Sequence, residues 1–252
     1  MERQIIDVIK ERVAATPSSQ VLDFKVVPDS PELRSFLEAV VVKTHLETEI
    51  DIPVRSMVSL RRNGLCQPGD TWRSILMDRI TGDGWRPEVI DYFEQPIRDR
   101  LFPADKSRCP LDLDMTGGIG TCANGNHRIV GAICWLAATR GDDAVMQSVR
   151  TTVRDIDRTL IGRLVEFHRT GARIGWQNQV GLTVPDGIRV SDVDGTERLI
   201  ICGKGRPIRE IAYRKKWLSR KKTTDEMAGE YQMASAYHPI PDTLFDVWGR
   251  AD

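Results

Sequence analysis

The stretch IGTCANGNHRIVGAICWLAAT, residues 119–139, constrains the fold more than any other. A strand runs in at about Thr121 and stops at Asn124-Gly125. That pair accepts left-handed backbone angles and so allows a sharp turn. Asn126 is a candidate helix cap, and Ile129, Ile133, Trp135 and Leu136 follow at core-facing helical spacing. A strand that turns this tightly into a helix leaves the first-turn amides pointing outward at the positive end of the helix dipole, a natural seat for an anion. His127 and Arg128 stand in that first turn and add donors and charge, since a guanidinium bonds phosphate oxygens in pairs. Upstream, Gly117, Gly118 and Gly120 would let a ligand approach the backbone. The same residues also suit an ordinary turn and a solvated helix start, so residue chemistry alone leaves both readings open.

Around this segment the pattern mixes helices and strands, the mark of an α+β or α/β chain. Ile5, Ile9 and Val13 predict an N-terminal helix, and VLDFKVV, 21–27, predicts a strand. Ser30 caps a helix that begins Pro31-Glu32. DIPVRSMVSL, 51–60, reads as a strand. TWRSILMDRITGDGW reads as a helix with Asp70 as its cap, and RPEVIDYFEQPIRDRLF as a helix broken near Pro96. PLDLDMT, 110–116, alternates as a strand does, with GGIGTCA pairing to it or continuing it. MQSVRTTVRDI is a further strand, and DRTLIGRLVEFHRTG a helix ending at Gly171. Asp194-Gly195 joins two apolar runs as a hairpin. The organisation expected is an N-terminal helical segment over 1–49, a central domain over 50–155 and a hairpin-plus-helix extension over 156–252.

Bulk numbers narrow the function classes. With 36 basic and 36 acidic residues the net charge is zero, so any polyanion would have to meet a local patch. Five cysteines, an odd number without C-x-x-C spacing, read as free thiols in a reducing compartment. No apolar run approaches the roughly 20 residues a membrane span needs, and the N-terminus carries no signal-peptide core. A cytoplasmic protein is expected.

Two further groups bear chemistry. GRPIREIAYRKKWLSRKK, 205–222, is expected to be a basic helix in which Arg214, Lys215, Lys216, Arg220 and Lys221 contact phosphates while Tyr213 and Trp217 stack on bases. A solvated helix face with Trp217 packed inward is the alternative. Asp112 and Asp114, two apart on a strand, point to one face and are candidates to hold a divalent metal; the polar face of an edge strand would look the same. Gly203-Lys204-Gly205 lacks the rest of a phosphate-loop pattern, and His168 near a helix end reads as structural.

NGNHRIVGA, 124–132, resembles the Gly-x-His-Arg signature of the ParB/sulfiredoxin-like superfamily. The resemblance covers about residues 50–155, in the same order of strand, helix, strand and signature. It implies an α+β ParB/sulfiredoxin-like domain that binds a nucleotide at the helix start through Gly125, Asn126, His127 and Arg128, with His127 and Arg128 as its catalytic residues. The function implied is nucleotide-dependent action on DNA, as a nucleoside triphosphatase or nuclease, with a nucleoside triphosphate and Mg²⁺ as cofactors. A small-molecule kinase of the same superfamily, drawing its base from Glu47, Glu49 or Asp51, is the second reading, and a non-enzymatic nucleic-acid-binding protein the third. Two departures are plain. Asn126 stands where sulfiredoxins carry their catalytic Cys, and His-Arg stands where partition-type members carry Arg-Arg, with no helix-turn-helix evident after residue 150.

Overall fold

The computed structural model describes residues 3–62, 64–105, 107–178, 186–202, 208–214 and 237–249. Among them the chain forms seven helices and two sheets. In chain order these are α1 (Ile5–Ala14), β1 (Val27–Pro28), α2 (Pro31–Val40), β2 (Val41–Pro53), β3 (Met57–Leu60), α3 (Trp72–Arg79), α4 (Val89–Glu94), β4 (Asp112–Thr116), β5 (Ile119–Asn124) and α5 (Asn126–Arg140). They continue with β6 (Val145–Ile156), α6 (Arg158–Arg169), β7 (Arg173–Gln177), β8 (Gly187–Ser191), β9 (Thr196–Ile201), β10 (Arg209–Arg214), β11 (Tyr237–Pro239) and α7 (Asp242–Trp248). The chain is α+β. It divides into one unit of Met1–Asp29 with Thr44–Arg154 and another of Ser30–Lys43 with Asp155–Asp252, so the first 49 residues are shared between the two.

The first unit is built on a mixed sheet in the order β1-β3-β5-β4-β6-β2. β4 and β5 form a hairpin through Gly117-Gly118, both at positive φ, while β3 runs parallel to β5 and β6 parallel to β4. One face of this sheet offers Met57, Leu60, Leu113, Met115 and Cys122 to a core completed by Ile9, Trp72, Ile75, Phe93, Ile129 and Ile133. α5 is buried through most of its length, with α1, α3 and α4 packed against it. That explains why its hydrophobic stripe is so broad in the sequence: a helix enclosed on several sides has no polar face to keep.

Three local expectations are revised. Residues 21–27 do not form a strand; only Val27–Pro28 does. Side chains capture the preceding backbone instead. Asp142 accepts the amides of Gln20 and Val21, and Ser19 Oγ accepts that of Leu22, bonds that compete with a ladder. The strand expected over 51–60 is split by a 3-10 turn at Val54–Ser56. Asp70 does not cap α3. Thr71 does, in a reciprocal pair with Ser74, and Asp70 instead accepts from Gln67 N and pairs with Arg79 at 3.0 Å. Thr71→Ala is expected to lower unfolding free energy by about 1 kcal/mol, measurable by urea titration.

In the second unit, five antiparallel strands in the order β10-β9-β8-β7-β11 carry α2 and α6. Phe36, Phe245 and Trp248 meet ring to ring, and His168 stacks on Phe245 at 5.2 Å, a packing role. Ser30 caps α2 as expected, and the β8–β9 hairpin turns at Gly195, φ +83°. The basic helix expected from 205 onward is corrected over Arg209–Arg214. This segment is strand β10, paired along its length with β9. Its Glu210 sits between Arg163 and Arg198, and the open edge of β9 outweighs its helical spacing. Lys215, Lys216, Arg220 and Lys221 lie outside the described residues, as does the side chain of Arg214.

Candidate ligand site at the start of α5

β5 ends at Asn124, and Gly125 makes the turn at φ +90°, ψ +29°. Only glycine fits. A Cβ there would lie 2.8 Å from Leu111 Cδ1, in a backbone conformation that side chains resist. The glycine also stands at the N-cap and has no side chain with which to close the helix. Asn126, expected as the cap, is the first helical residue instead. It is buried, and its Oδ1 accepts the amide of Arg62 at 3.3 Å, which fastens the segment after β3 to the helix start. The first intrahelical bond of α5 runs from Ile129 N to Gly125 O. The amides of Asn126, His127 and Arg128 therefore precede it and gain no partner from the helix itself.

The side chains around this terminus are cationic or donor-bearing. His127 is half-buried. Burial, and after it the charge of Arg62, hold its imidazole below the usual histidine range, so it is neutral at pH 7 and offers one N–H. Arg128 lies back across the turn, its Cδ and Nε nearest to where a Gly125 Cβ would be. Its Nη1 donates to Cys109 O at 2.6 Å, and its guanidinium centre sits 5.6 Å from the Phe102 ring centroid. Part of its donor capacity is thus spent on the segment before β4. Cys122, the cysteine closest before the signature, is buried, its thiol pushed well up by desolvation. It is a core residue rather than a nucleophile.

The opposite face of the sheet is polar. Register aligns Ser59 of β3, Thr121 of β5, Asp114 of β4 and Thr152 of β6 in one row, and neighbours in a row share a face. Asp114 is buried and held from two sides, by Arg61 Nη2 at 2.5 Å and Arg154 Nη2 at 3.2 Å, one to each carboxylate oxygen. Ser59 Oγ and Arg61 Nε are buried and have no hydrogen-bond partner among the described residues. Two residues along β4, Asp112 pairs with Asn124 instead of Ala123, because the register slips by one between Asp112 and Leu113. This bulge turns Asn124 onto the Asp112 face. Asp112 and Asn124, with Arg150, Thr151 and Thr152, line a cleft of about 370 Å³ whose lining also includes Leu46, Pro110 and Leu111.

Asp112 and Asp114 thus share a face as expected but do not act as a matched pair. Both Asp114 oxygens are taken by guanidinium groups, and only Asp112 faces the cleft. Among the described residues, no group of three or more His, Cys, Asp or Glu is placed to hold a metal. Of the upstream carboxylates, Asp51 accepts the amide of Ser148, and Glu49 lies 4.0 Å from Arg98 at the surface. The side chain of Glu47 is outside the described residues. Sequence reasoning missed Ser59, Arg61, Thr121, Thr152 and Arg154. The signal was present as alternation, Ser59-x-Arg61 and Arg150-x-Thr152-x-Arg154, polar residues two apart on strands whose other face is apolar. No helix among the described residues is long and apolar enough to cross a membrane. Compared with known proteins, the chain matches no family model, no curated protein and no solved structure.

Proposed function

We propose that the chain is a nucleotide-binding protein that seats the phosphates of its ligand at the start of α5. One observation carries this reading. A fifteen-residue helix begins without a side-chain cap, behind a left-handed glycine, with His127 and Arg128 in its first turn and Arg62 fastened beside it. A phosphate there gains the helix dipole, the first-turn amides and nearby guanidinium charge together. The resemblance of NGNHR to the ParB/sulfiredoxin-like signature supports the same ligand class. In this reading the basic run from Arg214 to Lys221 serves DNA, whose backbone it complements in charge, and hydrolysis of the nucleotide accompanies that binding, with Arg128 offsetting charge on the transferring phosphate and His127 donating a hydrogen bond to it.

The test is a thermal-shift and calorimetric series with nucleoside triphosphates and inorganic tripolyphosphate, with and without Mg²⁺. A ligand at 100 times its dissociation constant raises apparent stability by about 2.7 kcal/mol. His127→Ala with Arg62→Ala is expected to weaken tripolyphosphate binding by about tenfold or more, since it removes one donor and one charge. Equal affinity in wild type and double variant would overturn the proposal.

A further inference from the structure

The cleft on the polar sheet face differs in character from the helix start. Among the described residues that line it, one acidic group, Asp112, is balanced by one basic group, Arg150, and the remaining polar lining is the carboxamide of Asn124 with Thr152 and with Thr151, whose hydroxyl already donates to Val149 O. Nothing in that set favours a second phosphate. Leu46, Pro110 and Leu111 complete the lining with apolar residues. A guest suited to so mixed a lining carries both hydroxyl donors and C–H surface, as a pentose does.

Two connections tie the cleft to the helix start. Asn124, in the cleft wall, immediately precedes Gly125 in the chain, and its Nδ2 donates to Pro110 O at 3.3 Å. Leu111 lines the cleft and also lies against Gly125. The same sheet face holds the buried, unpartnered Ser59 Oγ and Arg61 Nε, so it has hydrogen-bonding capacity that the described protein groups do not use. At about 370 Å³ the cleft lies near the lower end of the range for small-molecule sites, roughly 300–1,000 Å³, the scale of a nucleoside fragment rather than of a polymer.

We infer that this cleft takes the sugar of the phosphate-bearing ligand, with Asp112 accepting the hydroxyl protons of a vicinal diol and Asn124 and Thr152 fixing its orientation. The inference rests on the proposed nucleotide reading and adds the part of the ligand that the helix start does not address. A carboxylate that accepts from a diol makes two charge-assisted bonds, and a sugar lacking those hydroxyls leaves it buried against the ligand without them. Burial, and after it the charge of Asp114, already hold Asp112 above the ordinary carboxylate range, so donors aimed at it have more to relieve.

The full chain is titrated calorimetrically with the four ribonucleoside triphosphates, their 2′,3′-dideoxy forms and inorganic tripolyphosphate. The expected result is that the preferred ribonucleotide binds about tenfold or more tightly than its dideoxy form, one to two charge-assisted bonds at about 1.4 kcal/mol per tenfold. Asp112→Asn should bring that ratio to within about twofold while tripolyphosphate affinity stays at the wild-type value. Thr152→Val, nearly isosteric, is the second variant and should lower the ratio in the same direction. If wild type does not distinguish ribose from dideoxyribose, or if both variants keep the ratio, the inference is overturned while tripolyphosphate binding leaves the helix-start reading standing. If discrimination follows the base alone, the cleft reads the base and the sugar assignment fails. If neither tripolyphosphate nor any nucleotide binds, both readings fall together.

Discussion

Asp114→Ala is expected to lower the unfolding free energy by about 3 kcal/mol, which makes it the most damaging single change on the polar sheet face. The carboxylate is 9% exposed and each of its oxygens meets a different arginine. Removing it leaves two guanidinium groups crowded together with their shared counter-charge gone. Breaking a buried pair from one side costs roughly 3–5 kcal/mol. The lower end applies because Arg61 and Arg154 are 34% and 21% exposed and keep some contact with water. Urea unfolding measures the loss. The mechanism has its own signature: Arg154→Met placed on top of Asp114→Ala should restore part of the stability, because it removes one of the stranded charges. A double variant less stable than Asp114→Ala by the full cost of Arg154→Met alone would mean that the pairs do not interact.

Gly125→Ala is expected to act on both stability and ligand. The methyl group would press on Leu111 Cδ1 from 2.8 Å at φ +90°, so either the turn or Leu111 must move. A non-glycine residue in this region costs about 1–2 kcal/mol, and the clash adds to it. The same shift redirects the amides of Asn126 and His127, so tripolyphosphate affinity should fall by tenfold or more. Circular dichroism would show the helix content retained while calorimetry shows the binding lost. Unchanged binding in a folded Gly125→Ala protein would mean that the helix start is not where the anion sits.

Much of this arrangement can be read from local signals. Ser30-Pro31-Glu32 announces α2 because capping chemistry is contained within three residues. Asn124-Gly125 announces the turn into α5 because few other residues tolerate its backbone angles. What escapes local reading depends on partners distant in sequence. The backbone at Gln20 and Val21 is held by Asp142, more than 120 positions away, and no window around 21–27 contains that competitor. Arg209–Arg214 has a composition that suits a helix, yet β9 supplies an open edge and the segment pairs with it. At the candidate site, His127 and Arg128 stand out as residue types, whereas Arg62 enters only because Asn126 reaches it. The row of Ser59, Thr121, Asp114 and Thr152 is assembled from four strands whose order in the sheet differs from their order in the chain.

The slipped pairing at Ala123 has an evolutionary reading. With one residue to spare between Cys122 and Asn124, the hairpin delivers its amide side chain to the cleft and its glycine to the helix start in a single step. Shortening the hairpin by that residue would leave Asn124 opposite Asp112 in unbroken register but would draw Gly125 and the start of α5 back by one position, away from the places where they meet Leu111 and Arg62. Lineages carrying this arrangement should therefore vary freely in the identity of residue 123 while keeping the spacing from Cys122 to Gly125 fixed.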